Sequence, residues 1–367
     1  HINGNLALSK AITESEVEEA ALDTLKDLGY QVVNGPVVAP DGLYPERASY
    51  AEVVLEGRLR AAIERLNPQL PADAVDEAVK KAIRPDSQNL LENNHKFHKL
   101  LADGVPVEYR KDGRMSPDTA RLFDFENPES KDNEFLAVNQ FTIIENNNNR
   151  RPDIILFVNG LPLAVIELKN PADEKATTFN AFNQFQTYKA LIPCLFNFNG
   201  ILVASDGFEA KAGTITSDWE RFLPWKTIDG REKASKTKPQ IDIMLKGMFN
   251  KRVFLDLLRY FIVFEQERDP KTNTIKLSKK LAAYHQYHAV NKALEATVKA
   301  AGKKGDKRCG VIWHTQGSGK SLIMVFYSGK LVVSKELENP TIVVLTDRND
   351  LDDQLFGTFS RTNELLR

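Results

Sequence analysis

Apolar and polar positions alternate with helical spacing over residues 13–29, where Thr13 and Glu16, three residues apart, form a capping-box signature and Gly29 supplies a stop. A loop punctuated by Pro and Gly is expected over 35–45. Helical patterns follow over 50–65 and 72–84, with Pro68 and Pro71 between them. From Phe135 the texture changes. Short apolar runs at 135–144, 154–158, 163–168, 194–198 and 201–204, separated by turn residues, predict strands. A helical stretch at 177–191 lies between the third and fourth of these. The four asparagines at 146–149 read as a solvated loop. Residues 229–240 are polar and lysine-rich and are expected to be a linker, followed by a long helical pattern through Glu267. The last part, 309–367, alternates strand and helix, which argues for a parallel α/β sheet. No repeat of solenoid period is present.

Length and charge narrow the class. A chain of 367 residues suggests two domains. With 42% hydrophobic and 27% charged residues it is ordinary globular material, which excludes disorder and collagen. A net charge of −1 excludes a uniformly basic nucleic-acid coat, although residues 271–310 hold ten Lys/Arg against two acids. That stretch reads either as a lysine-rich solvated face or as the lining of a DNA path. The two cysteines, Cys194 and Cys309, lie too far apart in sequence for a metal knuckle, and a reduced, cytoplasmic compartment fits them. The most apolar run, near 257–264, is interrupted by Arg259 and is too short to span a bilayer, so no membrane partner is expected.

The most informative segment runs from Arg151-Pro152-Asp153 through Asn159-Gly160 to Glu167-Leu168-Lys169. Two apolar strands flank an Asn-Gly turn, a strong local hairpin signal. Strand side chains alternate faces, so Glu167 and Lys169 point to one side. A three-residue loop at 159–161 would set Asp153 opposite Glu167, bringing two carboxylates and an ammonium to one end of the hairpin. Phosphodiester hydrolysis uses those groups. Hard oxygens hold Mg²⁺, which activates water and neutralises developing charge, and a lysine orients or helps deprotonate the attacking water.

These residues resemble the PD-(D/E)xK nuclease superfamily. The longer pattern Arg-Pro-Asp…Asn-Gly-x-Pro-Leu-x-x-Ile-Glu-x-Lys is similar to the nuclease domain of type I restriction enzyme R (motor, HsdR-type) subunits. The resemblance implies that Gln184 and Tyr188, an i,i+4 pair on the following helix, match the QxxxY element that supports the catalytic lysine and the substrate. It also implies a helix carboxylate near the metal. Glu18 suits that role, sharing a face with Leu22 and Leu25, with Glu16 and Glu19 as competitors.

A second motif lies near the end of the chain. The apolar run Cys309-Gly-Val-Ile-Trp313 precedes His314-Thr315-Gln316-Gly317-Ser318-Gly319-Lys320-Ser321 and a helical run at 322–330. Strand, glycine loop and helix are the context a phosphate loop needs. Gly317 and Gly319 let backbone N–H groups face the β-phosphate and the helix N-terminus adds its positive end. Lys320 reaches the β/γ-phosphates of ATP and Ser321 ligates Mg²⁺. Type I R subunits resemble the sequence closely here, through Trp-His-Thr-x-Gly-Ser-Gly-Lys-Ser, and two further elements match helicase superfamily 2. Gln286, in Tyr284-His285-Gln286, stands where that group keeps its adenine-reading glutamine. The strand expected at 341–346 leads into Asp347-Arg348, which resembles a loop near the DNA backbone. Arg348 is the expected phosphate contact unless it pairs with Asp350.

The expected architecture is α/β, with a PD-(D/E)xK nuclease domain (mixed sheet flanked by helices) over 1–228. A linker and connecting helix follow over 229–270, then a first RecA-like parallel helicase lobe over 271–367. No Walker B acid follows the phosphate loop and the chain opens on His1, so an N-terminal piece of a longer protein is expected. The resemblance implies ATP-driven translocation on double-stranded DNA, Mg²⁺-dependent cleavage, and assembly with methyltransferase (M) and specificity (S) subunits. A DNA-repair nuclease-helicase and a non-catalytic DNA-binding module with a degenerate nuclease fold are the rival readings. Residues 30–131 carry no interpretable chemistry.

Overall fold

The computed structural model describes residues 13–170, 177–235, 237–268 and 273–345. The elements run α1 (Glu14–Asp27), β1 (Gln31–Asn34), α2 (Gly35–Val38), α3 (Glu56–Leu66), α4 (Ala72–Ile83), α5 (Leu90–Asp103), β2 (Val105–Lys111), β3 (Arg114–Ala120) and β4 (Phe135–Asn139). Next come β5 (Ile143–Glu145), β6 (Asn148–Arg150), β7 (Ile154–Val158), β8 (Leu161–Leu168), α6 (Thr178–Leu191), α7 (Pro193–Phe196), β9 (Ile201–Ser205) and β10 (Ala210–Gly213). The remainder is α8 (Gln240–Met248), α9 (Lys251–Tyr260), β11 (Ile262–Arg268), β12 (Ile275–Leu281), α10 (Tyr284–Ala301) and α11 (Lys320–Val332).

A six-stranded mixed sheet in the order β1-β4-β7-β8-β9-β10 organises the chain. The β1–β4 and β8–β9 pairs are parallel, and the other neighbours are antiparallel. Every residue of β7, β8 and β9 is buried, which explains why these strands read as continuous apolar runs rather than alternating ones. Each fully buried Val, Leu or Ile there contributes about 1.5–3 kcal/mol. Helix α1 starts at the expected box: the Glu16 N–H donates to Thr13 Oγ1 (3.3 Å) and the Thr13 N–H to Glu16 Oε2 (2.8 Å).

The turn of the β7–β8 hairpin is shorter than expected. Asn159 and Gly160 both have positive φ, and Val158 pairs with Leu161, so two residues make the turn. A bulge then moves the pairing from Phe157↔Pro162 to Leu156↔Ala164, with Leu163 as the extra residue. Beyond it, Ile154 pairs with Ile166, the register a three-residue loop would have given. Gly160 is required twice: its φ is +80°, and a Cβ there would strike the Leu55 carbonyl.

Several elements differ from the sequence expectation. Residues 194–198 are no strand. Ile192, Leu195 and Phe196 are buried at i, i+3, i+4 spacing, and Pro193 opens the short helix α7. Residues 50–55 are not helical: the Leu55 N–H donates to Gly160 O (2.9 Å), and Val53-Val54-Leu55 is a buried irregular run. The pattern through Glu267 is two helices and a strand. Asn250 caps α9 (Arg252 N–H to Oδ1, 3.1 Å), and Ile262-Val263-Phe264 then pairs with β12. That hairpin straddles residue 270, where the sequence reading placed its boundary. The runs 309–313 and 341–345 form no strand, and no parallel sheet surrounds the phosphate loop among the described residues. A strand buried in such a sheet needs a neighbour on each side. With none there, Val311, Trp313, Val343 and Leu345 remain exposed. Among the described residues no helix is long and apolar enough to cross a membrane.

The β11–β12 hairpin is seated on the body of the sheet by a buried lysine. Lys279 Nζ donates to Asn94 Oδ1 (2.9 Å) and Asn199 O (2.6 Å), while its own carbonyl accepts from Thr214 Oγ1 (2.7 Å) and Thr216 Oγ1 (2.9 Å). No carboxylate pairs with it among the described residues, and burial pulls its pKa down to about 7. A lysine depressed on folding favours the folded state fully above its unfolded pKa and loses that advantage as pH falls towards 7. Thermal stability should therefore rise between about pH 7 and pH 10 through this group. In Lys279→Met that rise should be smaller. An unchanged slope in melting temperature against pH would show that the buried ammonium is not its source.

Candidate active site

Asp153 and Glu167 face each other across the β7–β8 pair at the end away from its turn. The strands bury both, at 9% and 2% exposure. A buried carboxylate must find donors or take up a proton. Asp153 Oδ2 accepts from the Leu168 N–H (2.6 Å). Glu167 Oε1 accepts from Lys169 Nζ (2.8 Å) and Oε2 from the Tyr188 hydroxyl (3.2 Å). The Tyr188 oxygen accepts in turn from Gln184 Nε2 (2.9 Å), so α6 fixes the glutamate through a two-residue relay. These contacts do not fully offset desolvation. Burial pushes Asp153 up to about 6, against the Leu168 N–H and Lys169, with Glu14 and Glu18 adding repulsion. Burial, then the Asp153 charge, pushes Glu167 up to about 8. Burial pulls Lys169 down, but Glu167 outweighs it and holds the ammonium above its ordinary value.

Helix α1 lies alongside. Glu18, expected to face the metal, spends its oxygens on Asn139 Nδ2 (2.7 Å) and Gln140 Nε2 (2.9 Å) while repelling Asp153. Glu16 is occupied by the cap and Glu19 is exposed. The sequence reading missed Glu14, whose charge acts on both Asp153 and Lys169. It stands four residues before Glu18 and so shares its face, a signal that was available. Among the described residues no three His, Cys, Asp or Glu side chains converge to cage an ion. Mg²⁺ suits such a sparse set, because it keeps several waters and takes one or two carboxylates together with substrate phosphate.

The loop at 314–321 opens into α11 through Gly319, at φ +77°, where a Cβ would strike Gln286 Nε2. Gly317 also has positive φ, with open space around it. Lys320 Nζ folds back on its own loop, donating to His314 O (2.7 Å) and Thr315 O (3.1 Å). Gln286 is 6% exposed and its amide is engaged: Oε1 accepts from the Ala283 N–H (2.9 Å) and Nε2 donates to Ser318 O (3.1 Å) and Gly319 O (3.3 Å). In this arrangement it latches the loop and does not present itself to a base. Ser318 Oγ is buried without a partner. Thr315 and Gln316 line a cleft of about 750 Å³ with His285, His288 and Lys292. The donors and the helix N-terminus fit a nucleotide phosphate. Arg348 lies outside the described residues.

Residues 11–221 match the family model described as the type I restriction enzyme R protein N terminus. The chain belongs to this family. Residues 285–366 match a second model, the SWI2/SNF2 ATPase. Among curated relatives, the "Type I restriction enzyme HindI endonuclease subunit" of Haemophilus influenzae is 46% identical over 97% of this chain and 33% of its own length. The "Putative type I restriction enzyme MjaIXP endonuclease subunit" of Methanocaldococcus jannaschii is 36% identical over 94% of this chain and 34% of its own. The chain thus spans about a third of the length of these relatives. The family match contains Asp153, Glu167, Lys169, Gln184 and Tyr188, and the second match contains Gln286 and the phosphate loop.

The raised carboxyls of Asp153 and Glu167 generate a pH test that needs no turnover. Carboxylates whose pKa rises on folding stabilise the protein fully below their unfolded values and lose that contribution as pH climbs through 6 and then 8. Mg²⁺ competes with those same protons, so its affinity should rise over that window by up to about tenfold per pH unit for each proton displaced. Mg²⁺-dependent stabilisation in thermal unfolding should therefore be small near pH 5.5 and large near about pH 8.5. It should be lost in Asp153→Ala. A shift independent of pH would place the ion elsewhere.

Proposed function

We propose that the chain is the nuclease and first motor portion of an ATP-dependent, Mg²⁺-dependent type I restriction endonuclease. In this reading the enzyme cleaves unmodified double-stranded DNA away from the site at which it is recognised. The observation that carries it is the convergence of Asp153, Glu167 and Lys169 at one end of β7–β8, with Tyr188 and Gln184 behind Glu167. Residues 1–228 form the PD-(D/E)xK domain and 229–270 the connection. The RecA-like lobe begins in the region of α10, since the residue-270 boundary falls inside a hairpin. M and S subunits of the same complex supply modification and site recognition, and the assembly works in the cytoplasm.

Asp153 and Glu167 hold Mg²⁺, which supplies charge neutralisation and water activation when bound. Lys169, released from Glu167, points its ammonium at the attacking water and stabilises the charge that builds on the phosphate. The water oxygen bonds to phosphorus, its proton passes to solvent, and the P–O bond to the leaving oxygen breaks. Tyr188 keeps Glu167 from rotating, and Gln184 keeps Tyr188 oriented. On the motor side Thr315, Gly317, Ser318, Gly319, Lys320 and Ser321 take the ATP phosphates and their Mg²⁺, Gln286 gives up its bonds to the loop to read the adenine, and Arg348 contacts DNA phosphate.

In the assembled full-length enzyme, Asp153→Ala, Glu167→Ala and Lys169→Ala should each lower cleavage about 100-fold or more and spare DNA-stimulated ATP hydrolysis. Persistent cleavage in any two of them would overturn the site. Lys320→Ala should abolish ATP hydrolysis and, with it, cleavage, although the nuclease residues are unchanged. Cutting by that variant at the wild-type rate would separate the nuclease from the motor and refute the type I reading.

A further inference from the structure

The geometry points to the β5–β6 hairpin, with Arg150 and Arg151 at its exit, as the element that grips the DNA backbone beside the nuclease site. This rests on the nuclease reading above and names how that site would hold its substrate.

The site is rich in carboxyl groups for one that takes a polyanion. Glu14, Glu18, Asp153 and Glu167 act there together, and Lys169 is already paired with Glu167. A phosphodiester approaching it needs cations from the immediate surroundings. Arg151 and Pro152 are all that separate the last residue of β6 from Asp153. Arg151 is exposed and Arg150 half-buried, and neither makes an ion pair among the described residues. The polar contact of the Arg150 guanidinium is a bond from Nη1 to Asn149 O (2.7 Å), which leaves its other donors free.

The hairpin is built to hold a fixed position. Asn146 and Asn147 both adopt positive φ in a two-residue turn, with Glu145 paired to Asn148 and Ile143 to Arg150. The hairpin is tied down at both ends. At the base the Ile144 N–H donates to Tyr50 O (3.1 Å) and buried Arg47 donates to Thr142 O (2.7 Å), and beside the turn Glu145 Oε2 accepts from the Cys194 N–H (3.0 Å). The Arg47 guanidinium also lies 3.7 Å from the centroid of the Phe141 ring just before the hairpin. On its other side β6 packs against α6, the helix that carries Gln184 and Tyr188. A rigid hairpin with an amide-rich, exposed tip and two arginines without ion pairs at its root therefore leads straight into Asp153 and packs against the helix that orients Glu167. Its chemistry suits sequence-independent contact: guanidinium to phosphate at the root, and asparagine amides to phosphate and sugar oxygens at the tip.

The test uses the assembled full-length enzyme with Mg²⁺, ATP and DNA bearing the target site. Arg150→Gln/Arg151→Gln should cut at least about tenfold more slowly near physiological salt, with DNA-stimulated ATP hydrolysis unchanged. Cleavage should recover as salt is lowered, and Arg150→Lys/Arg151→Lys should recover most of it. Wild-type cutting by the glutamine pair at every salt concentration, with Asp153→Ala inactive, would overturn the inference and leave the nuclease reading standing. Cutting by Asp153→Ala as well would bring down that reading and the inference with it. A loss that neither lower salt nor lysine relieves would make the arginines structural and refute the grip. If the double variant melts early, Arg151→Gln alone carries the same comparison, since Arg151 is exposed.

Discussion

Glu167 sits on a strand buried along its whole length, and the site is organised around the cost of keeping a carboxylate there. Apolar neighbours on both faces fix the strand, so the charge cannot move to water. It is held by Lys169 on its own strand and Tyr188 from α6, against the repulsion of Asp153 across the pair, which has its own N–H donor. Removing Lys169 or Tyr188 leaves the buried charge short of compensation, which ties the three side chains together. The same burial would favour a bound cation. Two carboxylates that hold protons this readily in a low-dielectric setting gain most when a hard divalent ion replaces those protons.

The chain on either side of the polar segment at 229–240 is also joined by packing. The β11–β12 hairpin runs back onto the sheet body, with Lys279 inserted between Asn94 and Asn199 and the ring of Phe264 stacked on His95. Asn199 lies just before β9, the parallel neighbour of the strand that carries Glu167. After β12 the chain enters α10 at once, and the third residue of α10 is Gln286, bonded to the phosphate-loop carbonyls. A continuous run of packed and hydrogen-bonded groups therefore connects the loop to the six-stranded sheet.

The parts of the fold legible in the sequence are those where local signals and burial agree. The α1 cap, the β7 limits and the Asn-Gly turn follow from residue type alone. The opposition of Asp153 and Glu167 was anticipated through the wrong device. A two-residue turn with a bulge at Leu163 reproduces the register of a three-residue loop, because either inserts one residue into the same strand. Residues 194–198 misled because two adjacent buried apolar residues suit a strand as well as a short helix, and Pro193 was the deciding mark. Glu14 was hidden by its neighbours, since the capping box drew attention to Glu16 and the apolar face to Glu18. The buried Lys279 had no local signature, because its partners Asn94 and Asn199 are far away in sequence.

Gln286 shows why position in a motif does not settle the work a side chain does. A primary amide offers two donors and an acceptor that can take two bonds. Here the acceptor closes the N-terminus of α10 and the donors close the phosphate loop, so both ends of the amide serve protein backbone. An adenine ring would compete for those same atoms. Base recognition and loop geometry would then be coupled through one group: drawing the Nε2 donors towards a base releases the Ser318 and Gly319 carbonyls. Lys320, bonded to the His314 and Thr315 carbonyls of the same loop, would be free to turn towards phosphate only as that backbone rearranges. The closed loop is thus stabilised by hydrogen bonds that a bound nucleotide would have to exchange, and exchange of bonds of similar strength would let the loop rearrange at small net cost.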